Sequence, residues 1–476
     1  MDLSGLLSRI AHAPSLARLL DDVGRRPLRL TAGVPDTAKA VVVASLARAV
    51  ETPLLAIVPR EDRADALADE LSAWLGETAA VVPFPQRDAL PYERLTPDPE
   101  AVRQRLMALL PRGGCNVIIA SAMALAQRTL SPQEMAASVR VLGPGSRLEP
   151  EEFLARLSAL GYAIEPLVER PGQASRRGGI IDVFPPQAEA PVRIELVGRE
   201  IESLRRFDPA SQRSVETVES VALGPVREVV LPAGAEPGTE HALARLDFSR
   251  CTDEARERFR EEISLLEAGV GFAADSFYVP FLARATLLDH LPPETVIILD
   301  EESEVAAALD EAEREADTVR REMEERGELP RGLPLPQQTW RELRAAIDDR
   351  QALVKLSRWA SGEEADCLRL PFSPAAAYGG QLRRFVSEGV SGLRQGGPLA
   401  IVSQQAQRLA EMFRDEGTDV TVTAEPSSAT GLALVQGSLP AGWRLSEDGV
   451  ELTLITDTEV FGFAKQRRRA PRKGIN

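Results

Sequence analysis

The sequence is poor in the residues that most metal and sulfur chemistry needs. Its three cysteines, Cys115, Cys251 and Cys367, lie far apart along the chain. They form no metal-type pair, and an odd count suits a reducing compartment better than a disulfide framework. The three histidines, His12, His241 and His290, are as scattered, which favours surface or internally satisfied imidazoles over metal ligands. No metal site and no cofactor is expected. Aromatic residues make up 5% of the chain against 44% apolar residues in all, so the cores must be aliphatic. No run of about 20 apolar residues occurs, and the N-terminus lacks the layout of a signal peptide. A soluble, cytoplasmic protein without membrane contact is the expectation. Positive charge is short too: 56 Lys and Arg stand against 72 Asp and Glu, a net charge of −16. Phosphate contacts need clustered Lys and Arg, so wholesale nucleic-acid binding is disfavoured while local basic patches remain open.

What is present is a long alternation of strands and helices. A chain of 476 residues exceeds one ordinary core, and about two to four domains are expected. The first third predicts strands at 27–32, 53–58, 79–83 and 116–121, with helices at 37–50, 61–75 and 100–110. In the second helix Ala64, Leu67, Leu71 and Leu75 recur at helical spacing. Such alternation implies a mostly parallel sheet covered on both faces.

Near residue 140 the pattern changes. One short helix at 150–160 is followed by strands at 179–184, 192–197 and 201–207, the last two joined by a Gly198-Arg199 step that suits a tight hairpin. From about 224 the α/β pattern resumes, with a helix at 254–266, a buried strand at 295–299 and a long charged helix at 305–326. A Pro-rich break at 329–336 follows. The last region holds a strand at 399–403, a helix at 404–416 with Gly417 at its C-cap position, and strands at 419–423 and 451–456.

The predicted architecture is therefore α/β and multidomain. A parallel-sheet domain of the degenerate P-loop, helicase-like type occupies 1–138 and 224–370. It is interrupted by an α+β insert at 139–223 and followed by a small Rossmann-like α/β domain at 371–464 without a Gly-rich fingerprint. The basic stretch KQRRRAPRK at 465–473 opens a linker, 465–476, and reads as a solvated charge run rather than a nucleic-acid contact.

The segment GVPDTAKA at 33–40 sits where a phosphate loop belongs, after the first strand and opening the first helix. Such a loop reads G-x-x-x-x-G-K-[ST]: glycines let backbone N–H groups wrap phosphates, the Lys reaches the terminal phosphates, and the hydroxyl holds Mg²⁺. Gly33 and Lys39 keep their places, but Ala38 replaces the second glycine and Ala40 the hydroxyl residue. Ala38 would put a Cβ where positive φ is wanted, and Ala40 cannot ligate a metal. VIILDEE at 296–302 is an apolar strand ending in Asp300-Glu301, the place of the acidic pair that holds Mg²⁺ and water in motor ATPases. The two fragments in this order read as a motor-type ATPase domain whose nucleotide pocket (Gly33, Lys39, Asp300, Glu301) has decayed, with weak or no nucleotide binding and no hydrolysis.

Longer motifs carry a family resemblance. PFPQRDALPYERLTPDPEAVRQRL begins at 83, VERPGQASRRGGIIDVFPP at 168, RIELVGREIESLRRFDPASQRS at 193 and GVELTLITDTEVFG at 449. These stretches resemble the N-terminal region of the transcription-repair coupling factor family, which is similar to excinuclease UvrB. The resemblance implies a module without ATPase activity whose insert recruits excinuclease UvrA. It implies that Arg177, before the Gly-Gly step, and Arg193, at the start of the hairpin, carry that contact. Val197 stands where the family often has an aromatic residue. RNA polymerase and DNA would be engaged only through polymerase-binding, translocating and C-terminal domains that do not precede Asn476.

The local pattern fits. Along 192–197, Val192, Ile194 and Leu196 share one face, while Arg193, Glu195 and Val197 share the other and would meet a partner. Arg176, Arg205, Arg206 and Asp208 are candidates for the same patch. A second reading is a true UvrB-like helicase or damage-binding protein, distinguished by ATP turnover. A third is a nucleic-acid binder acting through the basic tail, distinguished by salt-sensitive affinity that deletion of 465–473 abolishes.

Overall fold

The computed structural model describes residues 1–110, 116–229, 245–272, 274–360, 366–394, 397–426 and 431–462. The basic stretch 465–473, His241 and Cys115 lie outside them.

Two apolar helices, Ser4–Ile10 and Pro14–Val23, precede the first strand. The main sheet then has seven strands in the order Cys367–Arg369, Leu28–Gly33, Ala352–Ser357, Val296–Asp300, Leu54–Val58, Asn116–Ser121 and Ala80–Phe84. Every neighbouring pair runs parallel. The strands Leu54–Val58, Asn116–Ser121 and Val296–Asp300 are buried at every position, as continuous apolar strands covered on both faces must be. The helix Asp36–Ala49 is buried along ten consecutive residues, since it lies between the sheet and the N-terminal helices and shares one core with both.

The strand order explains the interruption. Ala352–Ser357 and Val296–Asp300 insert between Leu28–Gly33 and Leu54–Val58, so segments on either side of the insert interleave in one sheet. Neither flank closes its hydrogen-bond ladder without the other. The pairing also sets Gly33 beside Ser357 and Asp300 beside Leu356, which brings the two fragments of the expected pocket together.

The middle segment folds on a core of its own, running from Leu142 to Val226. Its six-stranded sheet has the order Ser214–Thr217, Glu200–Phe207, Val192–Val197, Ile180–Val183, Gln173–Arg177, Ala163–Ile164. Arg140–Leu142 pairs antiparallel with Val221–Leu223 where the chain enters and leaves. Gly178 and Gly198 have φ of +63° and +65°, the left-handed values that tight two-residue hairpin turns require.

The final six-stranded sheet is mixed. Leu399–Ser403 pairs parallel with Leu432–Gln436 and Val450–Thr456, but the latter pairs antiparallel with Trp443–Glu447. This sheet shares a core with the first. Trp443 stacks on Trp74 at 6.0 Å, and Leu445 and Leu452 join the cluster of Leu71 and Leu75. The strand expected at 419–423 is reduced to Val422–Thr423 at a sheet edge.

Candidate functional site

The expected nucleotide pocket is occupied by the chain's own charges. The strand Leu28–Gly33 passes into the helix Asp36–Ala49 through Val34 and Pro35 alone. The Val34 N–H donates to Ser357 O at 3.0 Å, and Pro35 has no N–H to offer a phosphate. A Cβ on Gly33 would lie 2.5 Å from Ala360 O, so the segment after Ala352–Ser357 closes over the turn. Ala38 does not carry the strain expected from the sequence. It is an ordinary helical residue whose N–H donates to Pro35 O at 2.9 Å.

Lys39 points into this site with 2% of its side chain exposed. Its Nζ lies 2.6 Å from Asp36 Oδ1, Asp300 Oδ1 and Glu301 Oε1. Burial alone would push the ammonium down, but the carboxylates of Asp300, Asp36 and Glu301 hold it above its ordinary value. Burial likewise works to raise Asp36, yet Lys39 and Arg358 keep it below the usual carboxylate range. Arg358 completes the cluster, with Nη1 2.7 Å from Asp36 Oδ2, its backbone N–H donating to Glu301 Oε1 at 2.8 Å, and an ion pair to Glu304. The backbone strain lies at Glu301 itself, with φ +49° and ψ +70°, a left-handed conformation that non-glycine residues rarely adopt. It turns the Glu301 carboxylate inward. The cleft outside the cluster is roughly 650 Å³ and is lined by Glu304 and Glu311 as well as Arg60 and Arg63. A polyphosphate would have to displace three carboxylates from Lys39 and meet two more.

The loop that follows Ala80–Phe84 is tied down. Tyr92 is buried and its hydroxyl donates to Pro334 O at 2.9 Å. The Arg94 guanidinium lies 4.1 Å from the centre of the Phe277 ring and pairs with Glu262. Nearby, Arg105 is fully buried, with Nε 2.8 Å from Glu228 Oε1, while Arg87 holds the other carboxylate oxygen at 3.0 Å. Burial lowers the Arg105 guanidinium to about 10, and the two arginines keep Glu228 below the usual range, so both ends are charged at neutral pH.

In the insert, register sorts the candidate residues. Ile180 stands opposite Arg177 and Glu195, and Asp182 opposite Arg193. Arg205 stands opposite Arg193 on the far side. Directly opposed residues share a face, so Arg177, Arg193, Glu195 and Val197 are brought together, with Ile180, Asp182 and Arg205 among them. At the end bearing both glycine turns this face is open: Arg177 is exposed, Ile180 is 37% exposed and Val197 63%. Arg177 makes no ion pair among the described residues.

The other candidates lie elsewhere. Arg176 is opposite the buried Ile181 and pairs with Glu151 on the helix Pro150–Ala159, which covers the core face. Arg206 is opposite the buried Val192 and pairs with Glu216. Asp208 sits in the following turn and accepts the Ser211 N–H at 2.7 Å, a bond that lowers its carboxyl value. Alternation separates Arg176 from Arg177 and Arg206 from Arg205. Arg193 is not the free cation that alternation alone suggests. It forks onto Asp182, with Nε–Oδ1 at 2.8 Å and Nη2–Oδ2 at 3.0 Å, and lies 4.8 Å from the centre of the Phe207 ring. Ile180 and Asp182 belong to the stretch that follows the Gly-Gly step: Ile180 faces Arg177 across that two-residue turn, and period-2 counting from Ile180 gives Asp182.

The profile of the UvrB interaction domain matches residues 141–228, the segment that carries this face. The transcription-repair-coupling factor of Myxococcus xanthus is 30% identical over 96% of this chain, and that of Bacillus subtilis 25% identical over 94%. The transcription-repair-coupling factor of Escherichia coli is 30% identical over 66%. The chain is similar to the N-terminal region of transcription-repair-coupling factors. It spans 40%, 39% and 27% of the length of these three relatives. The similarity to the coupling factors of Myxococcus and Bacillus takes in both the interrupted sheet and the mixed sheet, not the insert alone. No described helix is long and apolar enough to cross a membrane.

Proposed function

We propose that this chain is the docking module of a transcription-repair-coupling factor, recruiting excinuclease UvrA to damage where transcription has stalled, in the cytoplasm. The observation that carries it is the open sheet end at Arg177, Ile180 and Val197, inside a segment matching the UvrB interaction domain. An exposed arginine beside two exposed aliphatic side chains is the composition of a protein contact. The segment 139–223 is the unit that docks, with Arg177, Arg193, Glu195 and Val197 on its contact face. The interrupted domain 1–138 and 224–370, a degenerate P-loop domain, and the small Rossmann-like domain 371–464 hold it. RNA polymerase and DNA are partners of other parts of such a factor.

The module works without ATP turnover. Lys39 is committed to Asp36, Asp300 and Glu301, which supports a structural role over a phosphate-binding one. A UvrB-like helicase is the weaker reading, because the lysine that would meet a nucleotide's phosphates is held by three carboxylates of the chain itself.

Titration calorimetry of the chain against purified UvrA tests the proposal. Micromolar or tighter binding, lost in the Arg177→Ala, Arg193→Ala double variant, is the expected result. Absence of binding by the native chain overturns it. ATP hydrolysis that Lys39→Ala abolishes would restore the helicase reading.

A further inference from the structure

We infer that Asp182 is the positioning residue of the docking face, holding Arg193 over Phe207 so that one edge of its guanidinium meets the partner. This rests on the docking reading above.

Asp182 is 3% exposed. A carboxylate so buried needs a cation with matching geometry, because an uncompensated buried charge is strongly destabilising. Arg193 supplies that cation from the opposite strand, and the two-point fork fixes the plane of the guanidinium as well as its charge. Beneath the plane lies Phe207, fully buried in a small cluster with Val168 and Phe184. This cluster is separate from the main core of the insert. Arg193 is its lid on the outer face, and its Nη1 reaches Gln212 O at 3.4 Å.

Three of its contacts are thus internal, and 18% of the side chain remains exposed. That exposed edge continues the row of Arg177 and Glu195. Its neighbour Arg205 is turned instead toward Glu195, whose carboxylate also accepts the Ser203 hydroxyl at 2.5 Å. The acidic side of the face is thereby neutralised from within the sheet. The guanidinium of Arg193 can present a fixed edge only while Asp182 holds the opposite one. Without that anchor the side chain is one long rotamer-rich arm, and ordering it on binding lowers affinity.

The test is a double-mutant cycle on affinity for UvrA, using the whole chain. Asp182→Asn keeps the shape but places an amide N–H₂ against the guanidinium. We expect it to weaken binding by about tenfold alone, and by less than about twofold in an Arg193→Ala background. A loss of the same size in both backgrounds, or no loss in the first, overturns the inference. A second readout needs no partner: the rate at which phenylglyoxal modifies Arg193, followed by mass spectrometry. It should rise severalfold in Asp182→Asn, while the melting transition stays cooperative. An unchanged rate overturns the inference even if the native chain fails to bind UvrA, the outcome that would refute the docking reading instead.

Discussion

The Lys39 ammonium and the Asp300 carboxylate meet at 2.6 Å across two strands that the sequence separates by more than half its length. Lys39 stands on the helix after Leu28–Gly33, and Asp300 ends the strand Val296–Asp300. Ala352–Ser357 runs between them. The Lys39 side chain joins the two sides.

Replacing that side chain should unfold the domain more readily. Lys39→Met leaves Asp36, Asp300 and Glu301 without their shared cation, and a loss of about 3–5 kcal/mol in denaturant-derived stability is expected. A loss below about 1 kcal/mol would show that the cluster contributes little.

The same cluster fixes the sign of a pH effect. Lys39 is held above its usual 10.5 in the folded chain, so its contribution is fully present below that value and is lost as pH rises through the folded one. Asp36 is held below 3.8, so its contribution is present above 3.8 and is lost as pH falls through the folded value. Thermal melts should be flat near neutrality and fall at the alkaline end. Lys39→Met should remove part of that alkaline fall.

Arg105 and Glu228 should behave as a unit. Arg105→Met leaves the buried carboxylate to Arg87 alone and should cost about 2–4 kcal/mol, while Glu228→Gln leaves the buried Arg105 guanidinium without its counter-charge and should cost about 3–5 kcal/mol. The double variant should cost clearly less than the sum of the two. Chemical denaturation of the four proteins measures it. Strict additivity would mean that the two side chains stabilise the fold independently.

Gly33→Ala probes the closure of the turn between Leu28–Gly33 and Asp36–Ala49. Its Cβ would meet Ala360 O at 2.5 Å, so the strand-to-turn segment must shift, at about 1–3 kcal/mol. Trp359 is 82% exposed beside this segment, and its emission should respond to the displacement. An unchanged melting temperature would show that the segment yields freely.

Val197 sets the apolar part of the proposed contact. It is 63% exposed at the hairpin end, and a larger ring there would cover more of a partner. Val197→Phe should tighten binding to UvrA by roughly threefold to tenfold, and Val197→Asp should weaken it at least as much. Calorimetry decides, and equal affinities for all three would remove Val197 from the face.

Much of the fold is legible along the chain. Apolar runs such as Leu54–Val58 and the 117–120 core of Asn116–Ser121 announce themselves by composition. Glycines mark the insert's turns, and alternation in Val192–Val197 divides core residues from outer ones. Ala352–Ser357 does not stand out in the sequence, although it is a central strand, because its Lys355 breaks the apolar run. The helix Pro14–Val23 carries a helical signal of its own, with Pro14 at its first position and Leu16, Leu19 and Val23 on one face; the fold decides only that this face packs on Asp36–Ala49.

By itself the sequence determined the period of each element, the alanines at 38 and 40, and which side chains of a strand share a face. These depend on neighbours a few residues apart. Only the tertiary structure decided that Lys39 is consumed by Asp36, Asp300 and Glu301, and that Arg193 is anchored by Asp182. It alone paired Arg176 with Glu151 and Arg206 with Glu216. The reason is physical: whether a charge is free or satisfied depends on strand order and register between distant segments, and these are set by the burial of whole apolar faces.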